Sequence, residues 1–191
     1  MATKSKFDPK NMQVLVSAER RRAIDTHSLL SRLPIRPHHV VADIGCGPGY
    51  FAVPFAKYLY DGKVFALDIQ QEMLDATQKK MDDTRLTTVE VMLSKERKLP
   101  LDDESVDGAL MAFVLQEADG PAALLKEARR CLKPAGWLEV LEWHKRETEQ
   151  GPPIGRRIDP DAMRAMGVKL GLKAGDTQQL NDSQYMMVMR K

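Results

Sequence analysis

Asp43-Ile44-Gly45-Cys46-Gly47-Pro48-Gly49 is the part of this 191-residue chain whose residue types and spacing best suit a ligand. Glycines let the backbone turn sharply and approach a bound molecule closely. A dinucleotide fingerprint would put its third glycine at position 50, where Tyr50 stands. An aspartate two residues before the first glycine would also repel a pyrophosphate, which wants positive potential at a helix N-terminus. Asp43 suits instead a ligand with a cationic end and no phosphate. Asp68, 19 residues after Gly49, offers a second carboxylate, able to accept both hydroxyls of a ribose or to cap the helix that follows. Glu117 and His144 are candidate bases, needed only where a reacting group must lose a proton. Glu117 reads equally as a backbone acceptor at a helix start, and His144, between Trp143 and Lys145, as a surface histidine. Arg156 and Arg157 follow a stiff Gly-Pro-Pro stretch and could pair with an anionic substrate. As a plain connecting loop, the same stretch needs no function.

These groups need a scaffold, and the apolar pattern supplies one. Asp8-Pro9 reads as a cap and first turn of a helical region to about Leu33, in two pieces, ended by Pro34 and Pro37. His39–Ile44 is a short apolar run stopped by Gly45, as a buried parallel strand would be. A helix from about Gly49 to Tyr60 follows, with Pro54 near its first turn, then a strand at Val64–Asp68 and a helix at Gln71–Met81. Strands at Thr88–Leu93 and Val106–Val114 precede a helix at Pro121–Leu132, whose Leu124, Ala128, Cys131 and Leu132 share a face. Trp137–Trp143 is the fifth strand. A late helix capped at Asp159-Pro160 ends near Gly171, and the tail reads as an antiparallel hairpin around Asn181-Asp182-Ser183. The expected fold is α/β: a Rossmann-like, doubly wound, mostly parallel seven-stranded sheet with an antiparallel C-terminal hairpin. Such sheets bind ligands beyond the strands' carboxyl ends, where the glycine loop falls. S-adenosylmethionine, with an ammonium, a sulfonium and no phosphate, matches Asp43 there.

Composition narrows the classes. The hydrophobic fraction of 43% and charged fraction of 29% are those of a folded globular chain, and no run nears the ~18 apolar residues of a membrane span. The polar start and two cysteines point to a cytoplasmic protein without a disulfide framework. Cys46, in the glycine loop where small residues fit, and Cys131, on a helix's core face, read as structural rather than reactive thiols. With four scattered histidines they offer no metal-ligand spacing, so no metal is expected. Residues 1–37 carry eight Lys or Arg against three Asp or Glu, while the whole chain is only +2. Such an arm can attract phosphates, or can be the solvated face of a helix.

The blocks Val41–Gly49, Leu67-Asp68, Leu99–Asp107 and Leu132–Gly136, in this order, resemble the class I S-adenosylmethionine-dependent methyltransferases. The nearest likeness is to the small-molecule branch that includes the ubiquinone/menaquinone C-methyltransferases. The resemblance implies that Gly45, Cys46, Gly47 and Gly49 pass under the methionine part of the cofactor and that Asp43 anchors its amino end, directly or through water. Asp68 would hold the ribose, with Ile69 and Met73 against the adenine and Glu96 at the adenine amino group. Phe113 and Gln116 would border the reacting methyl. A small-molecule acceptor is the expected partner. A nucleic-acid methyltransferase is the first alternative, but Ala112-Phe113-Val114-Leu115 is not the Pro-Pro-aromatic clamp of enzymes that flip a base. A cofactor-binding regulatory module without turnover is another. The chain reads as one domain, with 1–33 as a helical lid and 37–191 as the core. Little insertion is left for a specificity cap, so residues 1–33 or a second subunit of a homodimer would complete the site.

Overall fold

A computed structural model describes residues 6–191; residues 1–5 of the expected lid segment lie outside the described residues. The chain begins with a 3-10 run at Pro9–Val16, then α1 (Ala18–Ala23) and α2 (Thr26–Arg32). The helical region is therefore in three pieces rather than two. Ser17 and Asp25 take extended backbone, and their side chains accept N–H bonds from Arg20 and His27, so each caps a new helix and breaks the one before.

Seven strands follow: β1 (Val40–Ile44), β2 (Lys63–Asp68), β3 (Val89–Leu93), β4 (Val106–Ala112), β5 (Leu132–Trp143), β6 (Lys173–Asn181) and β7 (Gln184–Arg190). They form one sheet in the order β3-β2-β1-β4-β5-β7-β6. The first five are mutually parallel, and β7 runs antiparallel to both β5 and β6. The Rossmann-like expectation holds, with the strand order reversing between β1 and β4, so the loops after these two strands face one crevice.

Between the strands lie α3 (Ala52–Tyr58), α4 (Gln71–Thr84), α5 (Pro121–Cys131) and α6 (Pro160–Lys169). Met73, Leu74, Thr77 and Met81 make the buried stripe of α4, and Leu124, Leu125, Ala128 and Cys131 that of α5. One apolar cluster joins Leu124, Ala128 and Leu132 to Ala109, Leu138 and Met187. A second joins Leu29, Leu30 and Leu33 to Phe55, Leu110, Trp137 and Met186, seating α2 against the sheet.

Several element boundaries differ from the sequence reading, and three of them have a plain local cause. α3 starts at Ala52 rather than Gly49, because Gly49 has φ +75° and cannot open a right-handed helix. β4 stops at Ala112 rather than Val114, because Phe113 takes φ +63°, a left-handed conformation costly for a residue with a Cβ. β5 gains Leu132, which pairs with Val106 ahead of a register shift, so the strand begins before Trp137.

Candidate functional site

The glycine loop leaves β1 beside the point of strand reversal. Gly45, Gly47 and Gly49 all take positive φ, and a Cβ on Gly45 would lie 2.3 Å from Val114 Cγ2. Glycine is required there by both conformation and space. The loop is pinned from below, since the Gly45 and Cys46 N–H groups donate to the Leu67 carbonyl at 2.7 and 2.9 Å. Thr77 Oγ1 donates to the Gly47 carbonyl at 2.7 Å, tying the loop to α4.

Asp43 and Asp68 flank this loop. Asp68 Oδ2 accepts the Gly47 N–H at 2.9 Å and Oδ1 accepts the Gln70 N–H at 3.0 Å, so it ties the glycine loop to the residue before α4 while lining the cavity. The helix-cap reading of Asp68 is not met, because Gln70 is the N-cap of α4 and that helix has no side-chain cap bond. Asp43 stands behind the cavity wall, only 1% exposed, and its Oδ2 has no hydrogen-bond partner. Burial, then the neighbouring Asp68 charge, pushes its carboxyl up to about 7. Burial also lifts Asp68, and, with both carboxylates nearby, holds the Cys46 thiol far above the range of a reactive nucleophile.

A cavity of about 1070 Å³ opens in front of the loop. Gly45, Cys46, Gly47, Asp68, Ile69, Met73, Glu96 and Phe113 line it. Gln116, Glu117, Trp143, the stretch Arg146–Pro153, Arg156 and Asn181–Gln184 line it as well. Lys6, Phe7, Val14, Leu15 and Arg20 face it from the N-terminal segment. Lys6 and Phe7 lie across the strand tips: Lys6 Nζ meets Glu96 Oε2 at 2.5 Å and the Glu117 carbonyl at 2.8 Å, and the Phe7 carbonyl accepts Gln70 Nε2 at 3.0 Å.

Of the two candidate bases, the cavity holds only Glu117. Its Oε2 accepts the Phe7 N–H at 3.1 Å, and burial raises its pKa. His144 does not line the cavity; its ring packs on Tyr185 at 5.2 Å and burial lowers its pKa. At the end of β5 its backbone N–H bonds the Ser183 carbonyl, which fixes it to the hairpin turn.

Arg157, read as a substrate partner, serves its own loop. It is 6% exposed and donates to the carbonyls of Pro152 (2.8 Å), Arg146 (2.6 Å), Gln150 (3.2 Å) and His144 (3.3 Å). Its guanidinium also lies 5.3 Å from the Trp143 ring. A guanidinium fork fits so many acceptors where an ammonium cannot. Arg157→Ala should therefore lower amide exchange protection across residues 144–153 by about tenfold or more, and Arg157→Lys should not restore it. Hydrogen exchange on both variants checks this, and protection equal to wild type in Arg157→Ala contradicts it.

Glu96 is also differently engaged from the expectation. Oε1 accepts the Asp119 and Gly120 N–H groups at 2.6 and 3.2 Å, while Oε2 takes Lys6. The two oxygens thus join the loop after β3 to the loop after β4, which leaves little capacity for an adenine amino group.

Two residues escaped the sequence reading. Glu142, buried on β5, accepts the Gln116 N–H through Oε1 at 3.2 Å and so holds the segment after Phe113. Burial lifts its carboxyl to about 8. Arg20 on α1 lines the cavity with its guanidinium 5.1 Å from both the Tyr50 and the Phe113 ring centroids. Its Nε is buried without a partner. Among the described residues no cluster of His, Cys, Asp or Glu could hold a metal, and no helix is long and apolar enough to cross a membrane.

Sheet order, glycine loop and the two carboxylates at the switch point define a Rossmann-like α/β domain with its ligand crevice beyond the strands' carboxyl ends. Residues 42–140, over half of the chain, match the Methyltransferase domain family, and the chain belongs to it. An S-adenosylmethionine-dependent methyltransferase of known structure from Aquifex aeolicus superposes with TM-score 0.92 at 29% identity, covering 97% of this chain and 99% of that one. A ubiquinone/menaquinone biosynthesis C-methyltransferase from Paraburkholderia phymatum is 35% identical over 61% of this chain and 48% of its own length. A demethylmenaquinone methyltransferase from Bacillus mycoides is 28% identical over 80% of this chain and 61% of its own length. The chain thus spans about half of these two curated relatives. A [4+2]-cyclase shares the fold with TM-score 0.79 at 18% identity, a reminder that the fold alone does not fix the reaction.

S-adenosylmethionine is the family's cofactor, and the residues present suit it. The carboxylate pair would repel a phosphate, while the unpartnered Oδ2 of Asp43 behind the glycine loop answers a cationic group.

Proposed function

We propose that this chain transfers a methyl group from S-adenosylmethionine to a small-molecule acceptor held in the same cavity. The observation that carries this reading is the cavity itself. At about 1070 Å³ it exceeds the range usual for one drug-sized ligand, and loops of this chain wall it. An aromatic pair, Phe113 and Trp143 with centroids 6.0 Å apart, stands in that wall and favours a compact, partly apolar acceptor over a polymer.

The glycine loop and Asp43 would hold the methionine end, Asp68 the ribose, and Ile69 with Met73 the adenine. When bound, S-adenosylmethionine supplies an electrophilic methyl on a sulfonium, whose in-line displacement by the acceptor leaves S-adenosylhomocysteine. The protein's part is positioning, which can supply several kcal/mol of such a barrier. Glu117 takes the acceptor's proton at Oε2 once the Phe7 N–H releases that oxygen, and burial keeps it a stronger base than an exposed carboxylate. The segment from Lys6 through α2 closes the cavity as a lid, excluding water from the sulfonium.

The test is a screen of small-molecule acceptors with methyl-labelled S-adenosylmethionine, read as S-adenosylhomocysteine formed. For an acceptor methylated at O or N, Glu117→Gln should lower turnover about 100-fold or more while S-adenosylhomocysteine affinity changes less than threefold. Turnover with polymeric RNA or DNA and with no small molecule would overturn the small-molecule assignment.

A further inference from the structure

Glu142 is fully buried near the end of β5, one residue before Trp143 of the cavity wall, and pairs in register with Tyr185 of β7. Its carboxyl reaches the loop that leaves β4, where Oε1 accepts the Gln116 N–H at 3.2 Å. That loop has left the sheet's regular bonding. The Phe113 N–H still bonds the Leu141 carbonyl at 2.8 Å, and Phe113 then turns with φ +63°. Glu117 and Ala118 both donate their N–H groups to the Val114 carbonyl, at 3.0 and 3.1 Å. The Gln116 N–H lies outside this turn, and a buried amide left without an acceptor is costly. Glu142 supplies that acceptor from the interior. The Gln116 side chain folds back as well, Nε2 donating to the Phe113 carbonyl at 3.3 Å.

The carboxyl does this as an acid rather than as a carboxylate. Oε2 is buried without a partner, and Glu142 enters no ion pair among the described residues. A negative charge there would be poorly answered in a dry interior, whereas the protonated group offers a carbonyl oxygen to the Gln116 N–H and keeps its proton on Oε2. Burial leads in lifting the carboxyl to about 8, and Glu117 in the loop after β4 adds a like charge. On β7, Tyr185 is held protonated by burial, then by Glu142 and Asp159. His144, beyond Trp143, packs on the Tyr185 ring, and burial and Arg146 lower its pKa while Asp159 opposes them.

We propose that Glu142 is a positioning residue: through the Gln116 N–H it fixes the main chain that carries Glu117 at the cavity, and ties it to the strand end that carries Trp143. The assignment rests on the methyl-transfer reading with Glu117 as base, and adds the group that sets where that base stands. Two carboxyls in different surroundings divide the work, Glu142 building the site while neutral and Glu117 taking the proton. Above about pH 8 an ionised Glu142 must draw water to Oε2, and the loop opens to admit it.

The test compares wild type with Glu142→Gln, which keeps an acceptor oxygen and cannot ionise, and with Glu142→Leu, which keeps the bulk and loses the acceptor. Hydrogen exchange follows residues 114–118, each rate corrected for its intrinsic pH dependence and referred to the Leu110 amide of β4. At pH 7 Glu142→Leu should lose about tenfold or more of the protection at Gln116, and Glu142→Gln should recover most of it. At pH 9.5 wild type should lose about tenfold of its pH 7 protection there, and Glu142→Gln should not. Turnover with an acceptor from the screen should follow the same order. In Glu142→Leu kcat should fall about tenfold or more, with S-adenosylhomocysteine affinity by calorimetry changed less than threefold. An alkaline fall in kcat should be present in wild type and absent in Glu142→Gln. Should Glu142→Leu not fold, the alkaline comparison of wild type with Glu142→Gln decides alone. Equal protection in Glu142→Leu and wild type, or an alkaline loss shared by wild type and Glu142→Gln, overturns the Glu142 assignment alone. If exchange follows the expected order but wild type methylates no acceptor, the methyl-transfer reading falls, and the claim of Glu142 on the base with it.

Discussion

Asp43→Asn should bind S-adenosylhomocysteine on the order of 30-fold or more weakly than wild type at pH 8, with methylthioadenosine affinity changed less than threefold. Removing one member of a desolvated charge pair commonly costs 2–5 kcal/mol, and the amide keeps the shape while losing the charge. The effect carries its own pH signature. In the free protein the Asp43 carboxyl titrates at about 7, because burial and Asp68 resist its ionisation. A bound ammonium favours the ionised form and lowers that pKa. Below pH 7 binding must then release a proton, so wild-type affinity should rise with pH by up to about tenfold per unit toward pH 7 and flatten above it. Titrations in buffers of different ionisation heat measure the proton directly. An Asp43→Asn chain that keeps both the wild-type affinity and the wild-type pH slope would remove Asp43 from the site.

Glu139→Gln should make the protein markedly more stable in alkaline solution. Glu139 is fully buried in mid-β5, between Leu110 of β4 and Val188 of β7, and neither carboxyl oxygen has a partner. Burial pushes it up to about 8, and the Arg32 charge opposes the shift. The unfolded chain loses this proton near pH 4.5, whereas the folded chain keeps it to about pH 8. Between those values the folded state binds more protons, so stability falls as pH rises. The stabilisation is whole below the lower value and gone above the upper one, a swing on the order of 4 kcal/mol for this residue alone. Glu142, also lifted to about 8, adds to the same trend. Thermal unfolding of Glu139→Gln should match wild type near pH 5 and exceed it by roughly 10 °C at pH 8.5. Parallel pH curves for the two proteins would show that Glu139 ionises freely in the fold.

The two buried glutamates also show what the sequence conceals. In Leu138-Glu139-Val140-Leu141-Glu142 they look like polar punctuation, because a one-dimensional pattern does not say that β7 covers the far edge of β5. The alternation of apolar runs with glycine and proline stops, by contrast, carries the centre of the sheet, since β1, β2 and β4 are buried on both faces. The glycine loop was legible for the same local reason. Its conformation, its ligand potential and the carboxylate before it all lie within seven residues. Arg20 was not, because in Glu19-Arg20-Arg21-Arg22 three arginines look alike until Tyr50 and Phe113 close on one of them. Arg157 and His144 fail in the opposite direction. Each lies next to residues that line the cavity, but backbone bonds within the loop and at the hairpin turn decide which way the side chain goes. Strand ends failed where one residue adopts a left-handed turn, as at Phe113, a conformational choice that residue type does not announce.

The chain contains two tryptophans, and their settings differ. Trp137 is sealed in the core, while Trp143 stands in the cavity wall within reach of Phe113 and the Arg157 cation. The first is a constant fluorescent background and the second an intrinsic probe whose emission depends on what lies against it. Ligand arrival can thus be followed in real time on the unlabelled protein, one side chain reporting and the other serving as its internal reference.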